Sequence, residues 1–209
     1  MRFELPGGGT VSGVVRGHGD TTVLLAHGAG TDQHHRMVVG IADALAAAGL
    51  RVVTFNYPYT EAGRRRPDRA AVLLECHRVV AERVRDEYGS GLVLAGRSMG
   101  GRMGTMLAAD GYPCRAVVCY AYPLHPAGKP EKLRIEHLPD VACPMLFFQG
   151  SRDALSRSDL FDRHVRPLPN ATVVDMEGAD HSFRGRGWSE PGLFTFLAEE
   201  TASWLASRR

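Results

Sequence analysis

The sequence predicts an α/β protein built on a doubly wound, mostly parallel sheet flanked by helices, with an antiparallel start and no cap domain. Two observations carry this. Short apolar runs alternate with helical stretches along the chain, with no internal repeat and no low-complexity linker; that is the pattern of successive strand–helix–strand crossovers. The runs themselves are TVLLA at 22–26, RVVTF at 51–55, LVLA at 92–95, RAVVCY at 115–120 and MLFFQ at 145–149. They are too short for helices and lack the polar alternation of a half-exposed strand, as strands covered on both faces do.

The elements follow in order. Phe3 to Leu5 and Val11 to Val15, joined by Pro6-Gly7-Gly8-Gly9, predict a hairpin. Thr22 to Ala26 is the first buried strand, closed by His27-Gly28-Ala29-Gly30. His34 to Ala48 reads as a helix stopped by Gly49. Arg51 to Phe55 is a strand closed by Asn56-Tyr57-Pro58-Tyr59. Thr60 to Arg69 is polar and reads as a solvated loop, and Pro67 opens a helix reaching Tyr88. Leu92 to Ala95 is a strand and Met99 to Ala109 a helix. Arg115 to Tyr120 is a strand, Tyr122 to Pro130 a Pro- and Gly-rich loop, and Glu131 to His137 one short helix. Met145 to Gln149 is a strand with Gly150-Ser151-Arg152-Asp153 as its exit. Ser156 to Val165 is a helix, Thr172 to Asp175 the last strand, and Leu193 to Leu205 the closing amphipathic helix.

Length and composition narrow the function. A chain of 209 residues predicts one domain over 1–209, with a sizeable core. A formal charge of +2 offers no electrostatic case for nucleic acid or a membrane surface. No apolar stretch approaches membrane-spanning length, and Met1 to Pro6 lacks a signal peptide's apolar run, so a cytoplasmic location is expected. The four cysteines include no C-x-x-C and are expected as free thiols. His34 and His35 are adjacent and would diverge on a helix, and no metal site or cofactor is expected. Gly28 and Gly30 resemble part of a dinucleotide fingerprint whose third glycine is missing.

Chemistry concentrates at Gly96-Arg97-Ser98-Met99-Gly100, a G-x-S-x-G between a strand and a helix. A turn this sharp strains the serine backbone and demands small neighbours, because strand and helix nearly touch. It leaves the hydroxyl exposed beside the unpaired amides of the new helix. The plain alternative is a Gly-rich strand–helix turn of a nucleotide-binding sheet. A serine hydroxyl needs a base, and the base needs a partner that fixes its tautomer. In strand–turn–helix serine sites the order is nucleophile, acid, histidine. Ser98, Asp153 and His181 keep that order, and each follows a strand at its carboxyl end.

Of nine histidines, His18, His34, His35, His77 and His164 fall away from the late strand ends. His27 orders its own loop, and His137 reads as structural. Asp175 and Asp180 are rival acids, but Asp180 is next to the histidine, and a chain neighbour points its side chain elsewhere. The oxyanion donors are expected from Met99 N–H and from Ala29 N–H, with Gly28 as runner-up. The plain alternative for that glycine pair is a helix-entry turn.

LLAHGAG, FNYPY, LAGRSMGGRMG, AYPLHPAGKPEKLR, FFQGSRD and GADHSF together resemble the α/β-hydrolase superfamily, over nearly the whole chain. The nearest branch is the small dienelactone-hydrolase-like group. It includes bacterial single-domain hydrolases and the hydrolase-like domain of a nonspecific-lethal chromatin complex subunit. The resemblance implies the α/β-hydrolase fold, the triad Ser98, Asp153 and His181, and oxyanion donors Ala29 and Met99. Dienelactone hydrolases carry a cysteine nucleophile where this chain has Ser98.

Two functions compete: hydrolysis of a small carboxylic ester or thioester through an acyl-enzyme, and a vestigial hydrolase-like binding or scaffold module. The complete triad favours the first. Only Ala121 to Pro144 separate two strands whose crossover itself takes about a dozen residues or more, so little is left for a cap. The mouth over Ser98 is expected to be open and shallow. Its expected walls are Tyr57, Tyr122 and His125, with Gly28 letting substrate reach the backbone.

Overall fold

The computed structural model describes residues 1–89, 91–185, 187, 188, 190 and 192–208. Among these, eight strands form one sheet: β1 (Arg2–Glu4), β2 (Thr10–Arg16), β3 (Thr22–Ala26), β4 (Arg51–Phe55), β5 (Val93–Arg97), β6 (Ala116–Tyr120), β7 (Met145–Gly150) and β8 (Ala171–Met176). Their spatial order is β1-β2-β4-β3-β5-β6-β7-β8. The first two junctions are antiparallel and the rest parallel. The helices are α1 (Arg36–Ala47), the single turn α2 (Pro58–Glu61), α3 (Ala70–Tyr88), α4 (Met99–Ala109), α5 (Ser158–His164) and α6 (Gly192–Ala206).

The period-two alternation of the strands divides the core in two. Leu24, Val53, Leu94, Val117 and Phe147 meet Leu73, Val80 and Val84 of α3 and Met103 and Leu107 of α4. Val23, Leu25, Val52, Val118 and Phe148 meet Val38, Ile41 and Leu45 of α1 and Leu193 and Leu197 of α6 on the opposite face. Burying one such side chain contributes about 1.5–3 kcal/mol. Double coverage is why the central strands are mostly apolar on both faces, and why they read as buried strands.

The strand order turns back at β3, which lies between β4 and β5. Loops leaving the carboxyl ends of β3 and β5 diverge there, opening the crevice in which such sheets bind ligands. The connection from Ala121 to Pro144 contains a 3₁₀ turn at Leu138–Asp140 and no cap domain among the described residues.

Three elements differ from the sequence reading. Glu131 to His137 is not a helix. Arg134 N–H donates to Leu124 O at 2.9 Å, outside the segment, in place of a carbonyl one turn earlier. The helix expected from Pro67 begins at Ala70, because Arg69 is extended at ψ 151°. Ser156 stands outside α5 because the strand exit claims it: its amide donates to Asp153 O at 3.1 Å and its hydroxyl to Gln149 Oε1 at 3.0 Å.

Candidate active site

β5 ends at Arg97, and the chain reverses at Ser98 with φ 52° and ψ −116° before α4 begins. A non-glycine residue in this region is strained by about 1–3 kcal/mol. The surroundings hold it: Ser98 N–H donates to Tyr120 O at 2.9 Å, and Arg102 N–H donates to Ser98 O at 3.1 Å. The flanking glycines are dictated by crowding. A Cβ on Gly96 would lie 2.2 Å from Gly100 C and Gly101 N, and one on Gly100 would lie 2.5 Å from Ala26 O.

His181 approaches Ser98 from the loop after β8. Its Nε2 lies 2.8 Å from Ser98 Oγ, and its Nδ1 lies 2.7 Å from Asp153 Oδ2. A carboxylate only accepts, so Nδ1 carries the proton and Nε2 is left to accept from the serine. The Asp153 carboxylate is fully enclosed. Its second oxygen accepts from Leu155 N–H at 2.7 Å, leaving neither oxygen unpartnered.

The loops bearing the acid and the histidine are zipped together. Ser151 N–H donates to Met176 O at 3.2 Å, Arg152 N–H to Ala179 O at 2.9 Å, and Gly178 N–H to Ser151 Oγ at 2.8 Å. The approach is close enough that a Cβ on Gly150 would sit 2.5 Å from Ala179 O. Asp180 shapes the turn: its Oδ1 accepts from Ser182 N–H at 2.7 Å and Arg184 N–H at 2.9 Å. Asp175 pairs with Arg166 at 2.7 Å and is exposed. The structure thus brings Asp153 to His181 and occupies both rival carboxylates elsewhere.

The loop after β3 is held by His27. Its Nε2 accepts from Tyr57 N–H at 3.2 Å, so its Nδ1 donates to Gly28 O at 2.8 Å. Burial pulls the His27 pKa down to about 4, keeping the ring neutral. Ala29, Ser98 and Met99 share a cleft of about 290 Å³ with Leu73, Pro123 and Leu155. Met99 is the first residue of α4, so its N–H lacks an acceptor within the helix.

Four expected substrate contacts are corrected. Tyr57 is fully buried, its hydroxyl 3.1 Å from His77 Nδ1 and its ring edge-on to His27. Tyr122 is buried, with its hydroxyl donating to Arg134 O at 2.7 Å. His125 is buried, Nδ1 donating to Pro126 O at 3.0 Å while Nε2 accepts from Arg157 N–H at 3.2 Å. Gly28 is buried beneath Ala29, and a Cβ there would meet Arg97 Nη1 at 3.2 Å. Tyr57, Tyr122 and His125 thus turn inward and fasten loops, and Gly28 does so through its carbonyl, which accepts from His27.

Arg97 is the residue the sequence reading missed. Its Nη2 donates to His181 O at 3.0 Å and reaches Ser182 Oγ at 3.3 Å. Burial pulls its pKa down, while the charges of Asp153 and Asp180 oppose that pull. The available signal was an arginine closing an otherwise apolar strand, directly before the serine. Among the described residues, no group of three or more His, Cys, Asp or Glu could hold a metal. Within the described residues no helix is long and apolar enough to cross a membrane, and the four thiols are free.

A family model described as an alpha/beta hydrolase domain matches residues 19–204. Solved structures align over nearly the full chain. An α/β serine hydrolase without a lid from Xanthomonas campestris is 24% identical, with a TM-score of 0.78 over 98% of this chain and 93% of that one. An α/β serine hydrolase homologue from Coxiella burnetii is 21% identical, with a TM-score of 0.74 over 99% and 95%. A dienelactone hydrolase from Anabaena variabilis is 20% identical, with a TM-score of 0.76 over 100% and 96%.

Proposed function

The chain belongs to the α/β-hydrolase family, and from that premise we propose that it is a serine hydrolase of small carboxylic esters or thioesters. The observation that carries this is the continuous relay from Asp153 Oδ2 through His181 to Ser98 Oγ, at 2.7 and 2.8 Å. Ser98 Oγ attacks the acyl carbon while His181 Nε2 takes its proton. Asp153 stabilises the resulting imidazolium and holds the ring in register. The tetrahedral oxyanion forms against the amides of Ala29 and Met99, where two fixed donors act in a site of low dielectric. His181 returns the proton to the leaving oxygen or sulfur, the acyl-enzyme remains, and a water deprotonated by His181 releases the acid.

A fluorophosphonate probe tests the reading. It labels wild type at Ser98, and Ser98→Ala abolishes the label and lowers kcat by about four to six orders of magnitude, with binding nearly intact. Labelling elsewhere, or unchanged ester turnover in Ser98→Ala, overturns Ser98 as the nucleophile, whereas a wild type with neither label nor turnover supports the scaffold reading. A cleft of about 290 Å³ offers a long chain little apolar wall, where each buried methylene would contribute about 0.8 kcal/mol. Among p-nitrophenyl esters, kcat/KM accordingly peaks between acetate and butyrate and has dropped by octanoate. A maximum at dodecanoate or rate activation at a lipid interface contradicts that size.

A further inference from the structure

Two arginines line the cleft that holds Ser98. Arg102 sits one turn into α4, its N–H bonded to Ser98 O at 3.1 Å, so its side chain shares a helix face with the serine. Arg134 comes from the long connection after β6, where two bonds clamp its backbone. Its N–H donates to Leu124 O at 2.9 Å, and its carbonyl accepts from the Tyr122 hydroxyl at 2.7 Å.

Neither guanidinium forms an ion pair among the described residues. Arg102 Nε is sealed from solvent without a hydrogen-bond partner. Burial, and then the charge of Arg102, pull the Arg134 pKa below its ordinary value, so the two like charges are close enough to repel. His137, beside them, adds no charge at neutral pH: burial and then the Arg102 charge lower its pKa to about 4. The cleft's carboxylate, Asp68, pairs through Oδ1 with Arg64 at 2.9 Å, and its enclosed Oδ2 hydrogen-bonds to neither arginine. Two uncompensated, partly desolvated cations beside a nucleophile are unfavourable unless an anion completes them.

We propose that Arg102 and Arg134 form an anion subsite, and that the substrate is an ester or thioester carrying a carboxylate. The inference rests on the hydrolase reading and sharpens its substrate class. A planar carboxylate matches the guanidinium fork, and a second guanidinium adds charge-assisted bonds that a neutral ester cannot make.

Two ester pairs test it, each charged against neutral. One is 4-acetoxybenzoate against its methyl ester; the other is the 4-nitrophenyl monoester of adipic acid against 4-nitrophenyl hexanoate. They place the carboxylate on the alcohol and the acyl side. In wild type at low salt, kcat/KM favours the charged member of at least one pair by about tenfold or more. That ratio falls several-fold in roughly half-molar salt. Arg102→Gln and Arg134→Gln, made singly, each shrink the ratio. Because it is taken within each variant, a general loss of fold does not imitate the effect.

A wild-type ratio near one for both pairs overturns the subsite and leaves the hydrolase reading standing, as does a ratio untouched by either substitution. Should none of the four esters turn over, the Ser98 label decides the hydrolase reading and adipate binding decides the subsite. A rise in Tm with adipate, lost in the double variant, supports it; no rise in wild type overturns it.

Discussion

The loops after β3 and β8 each bring a histidine to the same edge of the sheet, and they use it in opposite ways. His27 spends both ring nitrogens on backbone groups, Gly28 O at 2.8 Å and Tyr57 N at 3.2 Å, and is fully buried. His181 spends its nitrogens on a carboxylate and a hydroxyl, at 2.7 and 2.8 Å, and keeps some exposure. A ring held by backbone on both sides, with only the Thr60 hydroxyl at 3.4 Å beside Nε2 and no acid to polarise it, sets a loop's shape rather than moving a proton. A ring between an acid and a hydroxyl can move one. Residue type and strand-end position are shared, so the partners make the difference.

Substitution breaks the comparison most sharply. His181→Ala lowers kcat/KM by about 10⁴ or more while Tm changes little, and Asp153→Asn, which reverses the tautomer preference, lowers it by about 10⁴. Steady-state kinetics beside a melting curve checks both. A fall in Tm without a fall in kcat/KM for His181→Ala would make the two histidines alike.

Acid sharpens the contrast next. Burial lowers the pKa of His27 to about 4 and that of His77 to about 3, and burial followed by the Arg102 charge lowers that of His137 to about 4. In the unfolded chain these groups take up protons near pH 6.5, whereas folded they stay neutral. The stability they contribute is therefore whole above about pH 6.5 and declines as pH falls toward 4, by about 1.4 kcal/mol per pH unit for each of the deeply buried His27 and His77 and by less for the partly exposed, solvent-screened His137. Tm between pH 7 and 4.5 measures this, and His77→Gln flattens the slope. An equal slope in that variant removes His77 from the account.

His27→Asn loses at least one buried bond and costs about 1–3 kcal/mol of stability, read from the denaturant midpoint. The smallest effect belongs to Arg97→Met, which frees the His181 carbonyl. It lowers kcat by about tenfold with KM nearly constant, the signature of looser positioning, and Arg97→Lys restores part of it. A change in KM alone would assign Arg97 to substrate binding instead.

These contrasts also mark what was legible in the sequence. Ser98, Asp153 and His181 could be placed together because backbone dictates them: a turn with no room for Cβ at Gly96 and Gly100, and parallel strands that deliver their exit loops to one edge. The cleft wall was not legible. Tyr57, Tyr122 and His125 sit at the expected strand ends, yet their rings turn inward to hydrogen-bond His77, Arg134 O and the Arg157 amide. Side-chain direction in a loop depends on partners far away in sequence, which no local pattern encodes. The same holds for Arg134, misplaced on a helix because its amide is taken by the Leu124 carbonyl outside the segment. Arg97 escaped because a buried arginine acquires a role only through the loop it reaches.

The interlock between residues 150–153 and 176–180 makes Asp153 and His181 a single mechanical unit seated on β7 and β8. Ser98 belongs to a different unit, seated on β5 and tied to β6. Beneath them the sheet is continuous through the β6–β7 pairing, but at the level of the loops the seam is crossed by the bond from Ser98 to His181 and by Arg97. Warming is expected to open the loops at this seam, parting the serine from an acid–histidine couple that stays assembled, before the sheet itself unfolds. Catalysis would fade at a lower temperature than the one at which the sheet melts, and amides of the 177–185 loop would exchange deuterium ahead of those in β5.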